Sequence, residues 1–342
     1  MPEPQARHAA TSRRLSRRAR VLISIATALA VIVAGTGITA LIVRYQINSN
    51  INHVEVAFPV LPDVPSATAE PQGEPPIDFL VLGSDSRTSG GDPSEWVKGG
   101  QNSDAMMLVQ ISGDRQSVTV MSIPRDSWVP IEGHGEGKIN WAYSYGGPEL
   151  AISTVQDLTG VTIDHFAVLD FTSFKELTDA LGGVTITTTK GDERMNGEQA
   201  FTFVHDRFTV TEGDLDRVRR QQAWMKGILS EVFNKDVLKS PTKVASLISI
   251  VLQYSAVDQG INFDYLAGLA VQVKDLRPGS VKFLTAPHGE LGFTVPGQNQ
   301  WVLRLDYDKL DPFMEAWRDD KVVEYLKAHP KSIPKLEDRP VE

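Results

Sequence analysis

The sequence predicts an α/β domain, helices covering both faces of a central sheet, carried behind one apolar segment. Three observations predict it. From Ile77 onward, short apolar runs of strand length interleave with stretches whose apolar residues recur at helical spacing. Residues 21–43, "VLISIATALAVIVAGTGITALIV", carry no charge and match the roughly 20 residues a helix needs to cross a hydrocarbon core. The 342 residues are 41% hydrophobic and 23% charged, a globular balance, and contain no cysteine, which excludes disulfides, thiol nucleophiles and thiolate metal sites.

Residues 1–20 are a basic head, with Arg7, Arg13, Arg14, Arg17, Arg18 and Arg20 against Glu3 alone. Arginines crowd this side of the apolar run and only Arg44 closes the other, so the positive-inside rule puts the head in the cytoplasm and the rest outside. The run exceeds the roughly 7–15 residues of a signal-peptide core, which predicts a single transmembrane helix over 21–43. Residues 44–76, ending in "FPVLPDVPSATAEPQGEPP", read as an extracytoplasmic Pro-rich stalk. Net charge is −9 despite the basic head, so the body is strongly acidic and opposes nucleic-acid binding.

Residues 77–330 read as one folded domain and 331–342 as a loosely ordered C-terminal tail. "IDFLVLGSD", "AMMLVQIS", "QSVTVMSI", "HFAVLDF", "GVTITT" and "VKFLTA" read as strands. "AFTFVHDRF" reads as another, turning His205 and Arg207 to the same side. "GGPELAISTVQDLTG" reads as a helix stopped by Gly160, and "DFTSFKELTDALGG" as one capped by Asp170 or Thr172. "SPTKVASLISIVLQYSA" and "LDYDKLDPFMEAWRDD" are further helices, the second interrupted at Pro312.

Two groups of polar residues converge. The strands around Gly113-Asp114-Arg115 form a hairpin in which positions summing to about 229 lie opposite each other, so Asp104 faces Arg125. If the preceding strand pairs antiparallel, Asp85 and Arg87 reach the same sheet edge. Two carboxylates there need a cation or the arginines to neutralise them, and Mg²⁺ favours a few carboxylates plus phosphate oxygens; surface salt bridges are the bland alternative. The second group lies on a helix starting at Gly213-Asp214. On a 100° wheel Asp214 and Gln221 fall in the apolar stripe, Arg217 and Arg219 on its flanks, and Arg220 toward solvent. Arginines bind phosphate oxygens bidentately, so a phosphate substrate suits the assembly. There is no G-x-S-x-G and no Walker loop, and His134 in "GHGEGK" lacks a second histidine at ligand spacing and reads as a loop residue.

"FLVLGSDSR", "NSDAMMLVQI", "VMSIPRDSWVPI", "KINWAYSYGGPELAISTVQDLTGVTIDHF", "DFTSFKELTDALGGV", "MNGEQAFTFVHDR" and "GDLDRVRRQQ" occur in order from Ile77 to Gln222. Together they resemble the LytR-CpsA-Psr family. The resemblance implies an α-β-α sandwich around a mixed sheet, with an apolar pocket for a polyprenyl tail that "ASLISIVL" (residues 245–252) could line, plain core being the alternative. It implies transfer of a glycopolymer (teichoic acid, capsule or arabinogalactan type) from a polyprenyl-pyrophosphate carrier to a peptidoglycan hydroxyl, with pyrophosphatase side activity. Asp85 and Asp104 would hold Mg²⁺ or Mn²⁺; Arg125, Arg207, Arg217 and Gln221 would act on the pyrophosphate oxygens, helped by Arg87 and Lys138. Asp214 would orient the arginines or act on the acceptor hydroxyl. Asn102 and His205 stand where the family usually has arginine, and at neutral pH an unperturbed histidine is largely uncharged. The alternative those departures raise is a membrane-anchored protein that binds lipid phosphate without turning it over.

Overall fold

The computed structural model describes residues 41–61, 74–84, 103–206, 212–234, 237, 240–295, 301–338 and 340–342. The chain divides into two compact units, residues 1–46 and 47–342. Residues 21–40 of the expected span lie outside the described residues, and among the described ones no helix is long and apolar enough to cross a membrane. Residues 41–50 are helical (α1).

In the second unit the strands are β1 (Asn52–His53), β2 (Ile77–Ser84), β3 (Ser103–Ile111), β4 (Val118–Ser122), β5 (Trp128–Ile131), β6 (Gly135–Lys138), β7 (His165–Asp170), β8 (Val184–Thr188), β9 (Gly191–Met195), β10 (Ser255–Val257), β11 (Val281–Thr285), β12 (His288–Thr294) and β13 (Trp301–Leu305). The helices are α2 (Ile139–Thr159), α3 (Phe171–Ala180), α4 (Gly197–His205), α5 (Asp214–Asn234), α6 (Pro241–Gln253), α7 (Phe263–Gln272), α8 (Tyr307–Arg318) and α9 (Val322–Ala328). A seven-stranded sheet, ordered β1-β10-β7-β2-β3-β4-β11, forms the centre. It is mixed: β7 runs parallel to β2 and β11 parallel to β4, while β2–β3 and β3–β4 are antiparallel. The β3–β4 ladder runs from Met107↔Ser122 to Ile111↔Val118, each pair summing to 229, the register the hairpin reading predicts.

Side-chain alternation along these strands makes two cores. Leu80, Leu82, Met106, Leu108 and Met121 pack on one face with α2, α8 and α9. Ala105, Met107 and Val120, with Val81 and Val109 partly buried, pack on the other face with α3, α4, α5 and α6. The layering is therefore α-β-α, and each Leu-sized side chain so buried contributes about 1.5–3 kcal/mol.

Local signals explain the helix ends. Asp170 caps α3 by accepting from Thr172 N at 2.6 Å. Gly160, at φ 64°, closes α2 with its N–H on Gln156 O. Inside α2, Gly147 takes φ 68°, ψ −154°, which breaks the helix into two segments just before Pro148.

Four expectations are corrected. Residues 197–205 form helix α4, not a strand, because Asn196 and Gln199 make a reciprocal capping box that alternating "AFTFV" conceals. Helix α8 runs unbroken across Pro312, since Leu310, Phe313, Met314 and Trp317 are buried to within 1% and their packing outweighs one lost bond. The segment expected as a loose tail is anchored instead: Ile333, Leu336 and Val341 are buried, and Val341 bridges Thr188. The expected stalk also joins the body over part of its length, with β1 pairing β10 and Val54, Val56 and Phe58 packed on the core; residues 62–73 lie outside the described set.

Candidate active site

At the end of the sheet where β3 begins and β4 ends, four charged side chains interlock. The hairpin register brings Arg125, three residues past β4, to Asp104 on β3: Nη1 donates to Oδ1 at 2.6 Å. Helix α5 supplies the other two. Asp214 stands at its first position, after Gly213 at φ 59°, and Arg217 follows one turn later. Arg217 Nη2 lies 2.6 Å from Asp214 Oδ1, and its Nη1 lies 3.5 Å from Asp104 Oδ1. Arg125 Nε is 3.0 Å from the same Asp214 Oδ1, so one carboxylate oxygen serves both guanidiniums.

The setting is dry. Arg217 is 2% exposed, and Asp214 Oδ2 is buried with no hydrogen-bond partner among the described residues. Burial is the main influence on Asp214 and raises its pKa above the ordinary carboxyl value, against the opposing pull of Arg217 and Arg125. Burial also works against the Arg125 charge, but Asp214, Asp104 and Asp126 outweigh it and raise its pKa. Lys138, at the end of β6, reaches the cluster through Asp126, its Nζ 2.6 Å from Asp126 Oδ1.

An apolar cavity of about 220 Å³ lies between the sheet and helices α3 and α5. Ala105, next in the chain to Asp104, lines it, as does Gln221, one turn beyond Arg217; Phe171, Phe174 and Trp224 form the helical wall. Among the described residues, none of α6 lines it. The apolar residues Val244, Leu247, Ile250 and Val251 pack on the core beside α3, so that helix is core rather than pocket wall. His205 ends α4, its ring 4.8 Å from the Phe171 ring and 4.1 Å from that of Phe201. Its Nδ1 donates to Phe201 O at 2.9 Å, which fixes the proton on that nitrogen.

The structure thus brings together Asp104, Arg125, Asp214 and Arg217, with Lys138 one carboxylate away, Gln221 on the cavity wall and His205 behind Phe171. Asp85, Arg87, Asn102 and Arg207 lie outside the described residues. Arg220, expected in solvent, is 3% exposed: it donates to Glu342 O and Phe203 O at 2.8 Å each and stacks over the Phe203 ring. The wheel allowed α5 one buried face, whereas the C-terminal segment and the end of α4 cover a second.

Three contributors escaped sequence reading. Asp126 links Lys138 to Arg125: the β5–β6 hairpin pairs Lys138 with Trp128, and Asp126, two residues before Trp128, is the diagonal neighbour. Gln222, fully buried, donates from Nε2 to Leu284 O at 2.7 Å and to Ser122 Oγ at 2.9 Å, locking α5 to the sheet. Asp216, 2% exposed, accepts from Glu212 N at 2.6 Å and closes the approach to α5.

Comparison with known proteins follows the same outline. The LytR_cpsA_psr family model matches residues 44–318. "Cell wall biosynthesis protein LcpA" of Corynebacterium glutamicum is 28% identical over 287 residues, 70% of this chain and 55% of that protein. "Regulatory protein MsrR" of Staphylococcus aureus is 33% identical over 227 residues, 62% of this chain and 64% of that protein. The chain therefore spans less than two thirds of these relatives' length. Among solved structures, protein gbs0355 from Streptococcus agalactiae superposes with TM-score 0.61 at 25% identity, covering 72% of this chain and 89% of its own. A structure described as "TagT bound to LI-WTA" superposes with TM-score 0.59 at 23% identity, covering 78% of this chain and 99% of its own, a likeness of fold.

Proposed function

The chain belongs to the LytR_cpsA_psr family, and from that premise we propose that it is a membrane-anchored cell-envelope phosphotransferase. It would move a glycopolymer from a polyprenyl-pyrophosphate carrier to a peptidoglycan hydroxyl and leave a phosphodiester. The observation that carries this reading is a pair of guanidiniums, Arg217 buried and Arg125 half-buried, sharing one carboxylate oxygen close in the chain to two residues, Ala105 and Gln221, that line an apolar cavity. The cavity suits the hydrocarbon tail and the guanidiniums suit the two phosphates, which is the amphipathic layout of such a carrier.

In this reading the acceptor oxygen forms a bond to the sugar-side phosphorus, the bridging P–O bond breaks, and polyprenyl phosphate leaves. Charge builds on the leaving phosphate, and Arg125 and Arg217, held in place by Asp104 and Asp214 before substrate arrives, stabilise it without reorganisation. Asp214 holds both guanidiniums through Oδ1, and its Oδ2 is the oxygen available to take the acceptor proton. Lys138, oriented by Asp126, adds a positive charge on the same side.

A hard divalent cation fits the donor chemistry: both guanidinium contacts to Asp104 fall on Oδ1, so Oδ2 is the oxygen an ion would use, with Asp85 and phosphate oxygens completing the set. Mg²⁺ or Mn²⁺ there would neutralise phosphate charge and polarise the P–O bond.

The test uses the purified full-length protein with Mg²⁺, a polyprenyl-pyrophosphate-linked glycopolymer and peptidoglycan. Release of polyprenyl phosphate with polymer joined to peptidoglycan is the expected result, and turnover no higher than in an Arg217→Ala control would overturn it. A binding-only role is the second reading, favoured by His205, whose ring is packed on Phe171 and Phe201 where the family usually has a guanidinium. Donor lipid bound at saturation yet recovered intact would decide for it.

A further inference from the structure

We propose that the aromatic strip Trp128–Trp141–Tyr145 is the platform on which the acceptor glycan strand lies. The proposal rests on the transfer reading above and adds to it where the acceptor sits. The strip is built by two neighbouring elements. Trp128 begins β5, while Trp141 and Tyr145 lie on the first segment of α2, and all three are half-buried. The Trp128 and Trp141 rings meet edge to face at 6.1 Å, and Trp141 and Tyr145 are tilted at the same separation. The exposed His134 stacks on Tyr145 at 4.5 Å and extends the row. Gly137 makes room for it: a Cβ there would come within 2.8 Å of the Trp141 ring. Trp301, 41% exposed on β13, stands two residues from Leu303, which bridges Ser127 beside Trp128.

The strip adjoins the charged cluster. Trp128 pairs with Lys138, whose ammonium reaches Asp126 next to Arg125. The start of α2 is bonded to the same loop, Ile139 N donating to Ser127 O at 2.8 Å and Asn140 N to Arg125 O at 3.3 Å. Asn140 is 7% exposed, and its Oδ1 has no hydrogen-bond partner among the described residues, a buried acceptor suited to a sugar hydroxyl.

Chemistry and topology select the ligand. A phosphodiester formed between glycans places a pyranose ring within a few bonds of the reacting phosphorus on each side. The apolar C–H face of such a ring packs on an indole or phenol ring while its hydroxyls meet the polar rim. Donor and acceptor are then separated by the geometry of displacement: attacking and leaving oxygens lie roughly in line on opposite sides of phosphorus. The lipid cavity lies on the sheet face covered by α3 and α5, so the leaving polyprenyl phosphate departs there. The strip belongs to α2 and β5, which cover the opposite face. The nucleophile therefore arrives over the strip, and its ring is the acceptor's.

The test uses the full-length protein and two arms. In the first, binding of a soluble oligosaccharide of alternating N-acetylglucosamine and N-acetylmuramic acid is followed by saturation-transfer NMR without donor. The wild type and Trp128→Phe should bind, and Trp128→Ala should weaken binding about tenfold, an aromatic anchor's usual share. In the second, Trp128→Ala should raise the acceptor KM about tenfold and leave the donor KM within about twofold. Thermal melting establishes that each variant is folded, and Trp128 is chosen because Trp141 packs on the core. Unchanged oligosaccharide binding in Trp128→Ala overturns the proposal, as does a raised donor KM with an unchanged acceptor KM, which assigns the strip to the donor sugar. Oligosaccharide binding lost in Trp128→Ala, with no transfer even by the wild type, supports the platform and sinks the transfer reading instead.

Discussion

Asp78 offers a prediction whose sign and size follow from its surroundings. This carboxyl, at the start of β2, is 7% exposed; it accepts from Trp317 Nε1 at 2.7 Å and from Gln110 Nε2 at 3.3 Å. Burial is the main influence and pushes its pKa from 3.8 up to about 7, the two hydrogen bonds pulling the other way and Asp164 and Asp320 adding repulsion. The folded form thus keeps its proton up to about pH 7, while the unfolded chain gives it up from about pH 4. The unfolded state binds fewer protons between these values, so this group's stabilising effect is complete below about pH 4. It declines as pH rises and is lost above about pH 7. At about 1.4 kcal/mol per pH unit the window is worth about 4 kcal/mol at most. Asp78→Asn removes the titration. It also turns an amide N–H₂ toward Gln110, a mismatch of about 1–3 kcal/mol that does not vary with pH. The assay is denaturant unfolding of both forms in the same detergent between pH 4 and 8, read as the difference between them. The difference should move in the variant's favour by a few kcal/mol across the range; parallel curves would refute a protonated Asp78 in the folded protein.

Three further outcomes follow from the same geometry. Arg217→Lys should lose roughly 100-fold in transfer rate, since an ammonium cannot reach Asp214, Asp104 and a phosphate together; a single-turnover assay measures it. Arg220→Ala should cost about 3 kcal/mol of stability, because it strips the carbonyls of Phe203 and Glu342 and the Asp206 carboxylate of a buried cation, and thermal melting will show it. Gly147→Ala should cost about 1–3 kcal/mol, as φ 68°, ψ −154° is closed to residues with a Cβ, which chemical denaturation can measure.

Much of the fold was legible because its signals are local. A hairpin turn fixes register by counting, so Asp104 and Arg125 could be paired from their numbers alone, and Gly213-Asp214 marked the start of α5. What failed depended on what covers a surface. Arg220 was assigned to solvent because a helical wheel knows one apolar stripe and nothing of the C-terminal segment that closes the other side. Phe201, Phe203 and His205 alternate like a strand, and only the Asn196–Gln199 pair betrayed the helix. Pro312 shows the reverse case, a strong local breaker overruled by aromatic packing around Phe313 and Trp317.

The break at Gly147 gives α2 a division of labour. Residues 148–159 are bound into the core, and Ile152 and Val155 are fully buried there. Residues 139–146 are rooted in the same core through Ile139, Ala142 and Tyr143 and leave Trp141 and Tyr145 half-buried, and the helical ladder that would fuse the two stretches is interrupted where they meet. The half-buried Tyr145 can thus be exchanged in sequence without recutting the apolar cavity across the sheet or the charged cluster. On the platform proposed above, a designer seeking a different acceptor would begin with Tyr145 and leave Trp141, which packs on the core.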